Sequence, residues 1–123
     1  MNNCHCGSNK TYQNCCEVFH KNGGITDTAE QLMRSRYSAF VLANGDYLMA
    51  THHKSTRPIK DKKAIVKWAK SVQWLKLEIL ESTESTVKFN ACFFENGAPD
   101  HIAENSKFVK ENNQWFYLGL AQL

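Results

Sequence analysis

Four of the five cysteines in this 123-residue chain fall within its first sixteen positions, as Cys4-His5-Cys6, eight further residues, and then Cys15-Cys16. Four thiolates converging on one point are the donor set of a tetrahedral Zn²⁺ site. A site closed by four sulfurs leaves no position for water, so its expected role is structural. A Cys-x-Cys turn aims two sulfurs at one point, whereas the adjacent pair needs a bend or a helix end to bring in the other two. Gly7 and Ser8 follow the turn, where backbone N–H groups can donate to the sulfurs, and Lys10 adds a positive charge nearby. His5 sits between two cysteines that share a metal, which turns its ring away. His20, four residues past Cys16, is a poorer ligand than the thiol it would replace. Both histidines are expected at the surface, and the expected cofactor is one Zn²⁺ per chain on Cys4, Cys6, Cys15 and Cys16.

Clustered thiols form disulfides in oxidising compartments and hold metals in reducing ones. The opening residues Met-Asn-Asn-Cys-His-Cys have neither the basic start nor the apolar stretch of a signal peptide. No apolar run approaches the roughly 18 residues of a membrane span. The expected location is therefore cytoplasmic, with the thiols as metal ligands. The formal charge is +3, and four thiolates about one Zn²⁺ would lower it to about +1. That balance, with no basic stripe interleaved with aromatics, argues against nucleic acid as a partner.

The remaining pattern describes the elements that must position these groups. Asn22-Gly23-Gly24 reads as a short joint between residues 1–22 and an α+β domain over residues 25–123. Thr28, with Gln31 three residues on, fits a capping box. Ala29, Leu32, Met33, Arg36, Tyr37, Phe40 and Val41 then follow helical spacing up to Asn44-Gly45. A short helix is expected over residues 47–52. A third is expected behind Asp61, with Ile65, Trp68 and Ala69 on one face, after a loop at Ser55-Thr56-Arg57-Pro58. Four alternating stretches follow: Leu75, Leu77 and Ile79; Val87, Phe89, Ala91 and Phe93; Ile102, Glu104, Ser106 and Phe108; Phe116, Leu118 and Leu120. Glu95-Asn96-Gly97 and Asn112-Asn113 are hairpin signals, the second suiting positive φ. Helices followed by an antiparallel meander predict helices packed on a sheet.

The run Cys-His-Cys-Gly-Ser-Asn-Lys-Thr-Tyr-Gln-Asn-Cys-Cys resembles the SEC-C motif, a zinc-binding segment named from the tail of the SecA translocation ATPase. Leu32-Met33-Arg34-Ser35-Arg36-Tyr37-Ser38-Ala39-Phe40 and Asp46-Tyr47-Leu48 resemble the bacterial YchJ family. So do Thr51 with His53, Ser55 and Thr56, then Glu104-x-Ser106-x-Phe108 and Trp115-x-Tyr117. The resemblance spans nearly the whole chain and implies a nuclear transport factor 2-like core, with helices in the hollow of a curved sheet that forms a cone. The family has no established activity. The motif usually has proline at His5, glycine at Asn9 and glycine at Glu17. Asparagine tolerates positive φ next best, so the turn is expected to survive. Many relatives carry a second SEC-C motif near the C-terminus; this sequence shows one copy.

Two functions follow from the resemblance. In the first, the zinc module presents Lys10, Tyr12, His5 and His20 to a protein partner, by analogy with the chaperone and membrane contacts of the SecA tail. In the second, the cone holds a small molecule or an enzymatic site, with Arg36, Tyr37, Tyr47, His53, Glu104 and Ser106 as its polar groups. No acid–base dyad or nucleophile–base pair is evident from spacing, so the favoured reading is the protein-interaction or adaptor module, with the small-molecule or enzymatic site in the cone as the alternative. Tyr37 and Tyr47 also lie at core spacing, and Cys92, between Ala91 and Phe93, reads as a strand thiol. Trp68, Trp74 and Trp115 read as core or rim aromatics. Arg36 falls inside an apolar helical stripe, and Glu104 shares a strand face with Ile102 and Phe108. Each buried charge needs a partner, so the two are expected to meet as an ion pair, with Ser106 or Tyr37 adding hydrogen bonds.

Overall fold

The computed structural model describes residues 3–21 and 23–121. The N-terminal segment makes a tight hairpin, with Cys4 N–H donating to Lys10 O at 2.6 Å and Asn3 bridging Thr11. A 3₁₀ turn over Tyr12–Asn14 leads into helix α1, Cys16–His20. Asn9 takes φ 67°, the left-handed turn that asparagine was expected to tolerate.

Helix α2, Ala29–Val41, starts at the expected cap: Gln31 N–H donates to Thr28 Oγ1 at 3.0 Å. Of the joint expected at Asn22-Gly23-Gly24, Asn22 lies outside the described residues. Gly24 is packed rather than free. Its N–H donates to Val18 O at 3.0 Å, and a β-carbon there would stand 2.8 Å from Val18 Cγ1. Asn44-Gly45 does not end α2. The helix closes at Leu42, Ala43 turns left-handed, and Asn44 caps the next helix, accepting from Tyr47 N–H at 3.1 Å. That helix, α3, is therefore Gly45–Ala50, earlier than the residues 47–52 expected. Helix α4, Lys62–Ser71, starts behind Asp61 as expected, although the Asp61 side chain makes no capping bond.

Four strands follow: β1 Gln73–Ser82, β2 Thr86–Glu95, β3 Ala98–Glu111 and β4 Gln114–Leu120. They form one antiparallel sheet in the order β1-β2-β3-β4, curved around the helices. Both sharp hairpins use left-handed residues, Asn96-Gly97 and Asn112-Asn113, as their side chains allow. The inward face differs from simple alternation at two places. A register shift between Trp74 and Lys76 turns Trp74 inward opposite Phe93 and leaves Leu75 47% exposed. In β4 the buried residue is Trp115, with Tyr117 partly buried behind it. Leu120, expected on the inner face, is 66% exposed. In β1 a bulge shifts the phase of the period-two pattern by one residue, whereas in β4 Trp115 and Tyr117 face inward because Tyr117 pairs with the buried Phe108. The core forms where Leu32, Met33 and Tyr37 of α2 meet Val87, Phe89, Ala91, Phe108 and Trp115 of the sheet. Among the described residues, no helix is long and apolar enough to cross a membrane.

The α3–α4 contact is close enough to be tested. A β-carbon at Gly45 would lie 2.6 Å from Val66 Cγ2, and valine has little rotamer freedom with which to yield. Alanine at an open helix position stabilises by up to about 1 kcal/mol. Here Gly45→Ala is expected to destabilise by about 1–2 kcal/mol through overpacking. Urea denaturation checks the sign, and an unchanged or higher midpoint would show that the α3–α4 contact gives way.

Candidate metal centre and the cone

The four cysteines converge. Cys4, Cys6, Cys15 and Cys16 place their sulfurs within 4.8 Å of one another. Cys6 and Cys15 are 3.5 Å apart, and Cys15 and Cys16 are 3.9 Å apart. A tetrahedral ion with metal–sulfur bonds of about 2.3 Å needs sulfurs about 3.8 Å apart, so the cluster fits one metal ion. Cys4, Cys6 and Cys16 are at most 4% exposed, and Cys15 is partly buried. The Cys15-Cys16 pair diverges because Cys15 precedes the first turn of α1 with ψ −108°, while Cys16 is already helical.

The surroundings supply donors to sulfur. The Ser8 hydroxyl donates to Cys15 Sγ at 3.1 Å, and Ser8 N–H bonds the Cys6 thiolate. Gly7 N–H instead closes the turn onto Cys4 O at 3.3 Å. Hydrogen bonding, first from the Cys16 thiol and then from Ser8 and Cys15, outweighs burial and pulls the Cys6 pKa down to about 4. Sharing that hydrogen bond pushes Cys16 upward, and burial does the same to Cys15. Four sulfurs this close cannot all carry negative charge unless a cation sits among them. The expected cation neighbour, Lys10, is exposed. Arg34 takes that place from α2, with Nη1 donating to Cys6 O at 2.6 Å and Nε held by Glu30 at 3.1 Å.

His20 is not at the surface. Its Nε2–H donates to Ser35 O at 2.8 Å, which makes Nδ1 the acceptor for the Tyr12 hydroxyl, also at 2.8 Å. Its ring packs on Tyr47 with centroids 4.6 Å apart, and burial lowers its pKa. Tyr12 is drawn in with it, whereas His5 is exposed as expected. Tyr47 completes this network by donating to Ser35 Oγ at 2.7 Å. Two further contacts tie the cysteines to α2: Cys4 Sγ lies 3.5 Å from Ser38 Oγ, and Cys16 Sγ lies 3.8 Å from Arg34 O.

The opposite face of α2 lines a cavity of about 200 Å³ between the helices and the sheet. Met33, Phe40, Trp68, Trp74, Phe89 and Ile102 are among its apolar lining. Of the predicted polar set, Arg36, Tyr37, Glu104 and Ser106 line it, and Tyr47 and His53 do not. Tyr47 belongs to the His20 network on the other side of α2. His53 sits at the rim, where Nε2–H donates to Glu111 at 2.9 Å. His52 and Tyr117, absent from the predicted set, take part instead. Residues 51–53 pair with Tyr117 in an extended bridge, and adjacent side chains there point to opposite sides. Burial, with Arg36 and Arg57 nearby, lowers His52 to about 4, so its imidazole is neutral at physiological pH.

Arg36 and Glu104 do not form the expected ion pair. Arg36 Nη1 donates to Leu48 O at 2.9 Å and to Thr51 Oγ1 at 2.7 Å, and the guanidinium stacks 4.7 Å above the Tyr117 ring. Glu104 Oε2 accepts from Ser106 at 2.6 Å and from the Tyr117 hydroxyl at 3.3 Å. Tyr117 thus stands between the two charges as an aromatic spacer. Burial draws Arg36 down to about 10, which still leaves it charged near neutral pH, and raises Tyr37 and Tyr117 to about 12. The Cys92 thiol points to Glu78 Oε1 at 3.8 Å, and it does not line the cavity.

Comparison with known proteins gives consistent matches. The family model described as "YchJ, middle NTF2-like domain" matches residues 28–119, and that of the SEC-C motif matches residues 2–17. A UPF0225 protein of Vibrio parahaemolyticus is 44% identical over 121 residues, covering 94% of this chain and 72% of that protein. One from Haemophilus influenzae is 40% identical over 125 residues, covering 96% and 76%. The solution structure of a SEC-C motif containing protein from Rhodopseudomonas palustris superposes with a TM-score of 0.87 at 32% identity, over 100% of this chain and 99% of that one. A crystal structure of another, from Psychrobacter arcticus, gives 0.82 at 30% identity, over 98% and 83%. The chain belongs to the YchJ family of UPF0225 proteins, with a SEC-C motif leading into a nuclear transport factor 2-like domain.

Proposed function

We propose that this protein is a zinc-stabilised small-molecule-binding protein, in which residues 1–22 carry one structural Zn²⁺ and the α+β domain over residues 25–123 carries the ligand. The observation behind the ligand reading is the cavity itself. Its wall is apolar, and at one end it collects a buried guanidinium, a carboxylate, a serine hydroxyl and a tyrosine. A mostly apolar pocket with a few converging polar groups is the usual form of a small-molecule site. A closed set of four thiolates favours Zn²⁺ over harder cations, and it persists only where thiols stay reduced, which supports a cytoplasmic location. The protein-partner reading of the module has less support. Tyr12 and His20 are committed to internal bonds, leaving His5 and Lys10 as the exposed members of the set named for it.

Two measurements test this. Metal analysis of the purified protein is expected to find one zinc per chain in the wild type and in His20→Ala, and none in Cys16→Ser. Zinc retained by Cys16→Ser, or lost from His20→Ala, would overturn the ligand assignment. For the cavity, Trp68 and Trp74 line it and Trp115 does not. Millimolar benzyl alcohol is expected to shift the Trp68 and Trp74 indole N–H resonances and to leave Trp115 in place. Ala91→Leu, which fills the same space, should abolish the shifts. A uniform response of all three tryptophans, or none, would count against a ligand site in the cone.

A further inference from the structure

The polar end of the cavity is unbalanced in a way that specifies a ligand. Arg36 is 6% exposed, and its partners are all neutral: a carbonyl, a hydroxyl and the face of Tyr117. All its hydrogen bonds to described residues use Nη1, leaving Nη2 and Nε, on a side chain that lines the cavity, without a hydrogen-bond partner there. The nearest acid, Glu104, uses Oε2 for Ser106 and Tyr117, and the ring of Tyr117 keeps it off the guanidinium. A buried cation without an ionic partner is costly, and an anion that meets its free N–H groups relieves that cost through charge-assisted hydrogen bonds. The planar fork of arginine fits a carboxylate best.

Size and wall chemistry narrow the class further. A dry cavity of about 150 Å³ accepts benzene, so about 200 Å³ gives room for a single ring with small substituents. The wall is aromatic: Trp68 and Trp74 line it edge to face with centroids 5.4 Å apart, and Phe93 backs them at 5.5 and 5.6 Å. Resting on the cone reading above, we infer that the cavity binds a compact aromatic monocarboxylate, with its carboxylate on the free edge of Arg36 and its ring against Trp68, Trp74 and Phe89. Glu104 Oε1, which accepts no hydrogen bond from a described residue, faces any second polar group and selects for a donor such as a hydroxyl.

The test uses the full-length zinc-loaded protein and paired probes of equal shape: benzoate against benzamide, and 4-hydroxybenzoate against 4-hydroxybenzamide. The readout is again the three indole N–H resonances, titrated at neutral pH. Each carboxylate is expected to bind at least about tenfold more tightly than its carboxamide, shifting Trp68 and Trp74 but not Trp115. Arg36→Gln should erase that preference. If this variant fails to fold, the wild-type pairs still decide. Amides that bind as well as the acids overturn the carboxylate assignment and leave the cone as a ligand site. If neither these four probes nor benzyl alcohol shifts Trp68 and Trp74, the cone reading itself falls.

Discussion

Helix α2 is buried on both sides, and the rest of the molecule is arranged to satisfy it. Eight of its thirteen residues are buried. At about 100° per residue, Met33, Arg36, Tyr37 and Phe40 share one side, and Arg34, Ser35 and Ser38 share the opposite one. The first side faces the sheet and the cavity. The second faces the cysteine module, where Ser35 and Ser38 are fully buried. A helix enclosed in this way cannot leave polar atoms to water, so each needs an internal partner. Ser35 receives the Tyr47 hydroxyl and passes its own proton to Leu32 O; Ser38 meets Cys4; Arg34 meets Cys6 O and Glu30.

This arrangement puts the cysteine cluster and the cavity on two faces of one helix. The module has little apolar surface of its own, its buried cluster being the cysteines themselves with Tyr12 packed against them. Its order therefore depends on the sulfur cluster and on the bonds to α2. In turn, α2 keeps Arg36 in register with Leu48 and Thr51 only while its own position is held. A structural metal in such a place stabilises more than the loop it closes, because its binding energy is also folding energy.

The sheet contributes shape rather than charge. Left-handed asparagines make its two tight hairpins, and strand register decides which aromatic side chains reach the hollow. Trp74 reaches it because β1 slips by one residue. Tyr117 reaches it because β4 pairs with residues 51–53 on one side and with Phe108 on the other. Tyr117 then lies against both Arg36 and Glu104.

Local chemistry alone determined a good part of this protein. The cysteine spacing located the sulfur cluster, since all four cysteines lie within thirteen residues and a short chain cannot take them far apart. The Thr28 cap, the start of α4 behind Asp61 and the asparagine turns follow from backbone groups satisfied by side chains a few positions away. The resemblance to the YchJ family supplied the cone, which no periodicity encodes. What the tertiary structure decided is everything that depends on partners distant in the chain. His20 turns inward because Ser35 O and Tyr12 wait for it, and Arg34 displaces Lys10 because α2 packs against the hairpin. His52 rather than His53 enters the cavity because that segment bridges Tyr117 across more than sixty residues. The charges of Arg36 and Glu104 were evident as misfits in apolar patterns, but a pattern states only that a partner is needed. Whether two such groups touch, or stand apart with an aromatic ring between them, is settled by a few ångströms of packing between α2, β3 and β4.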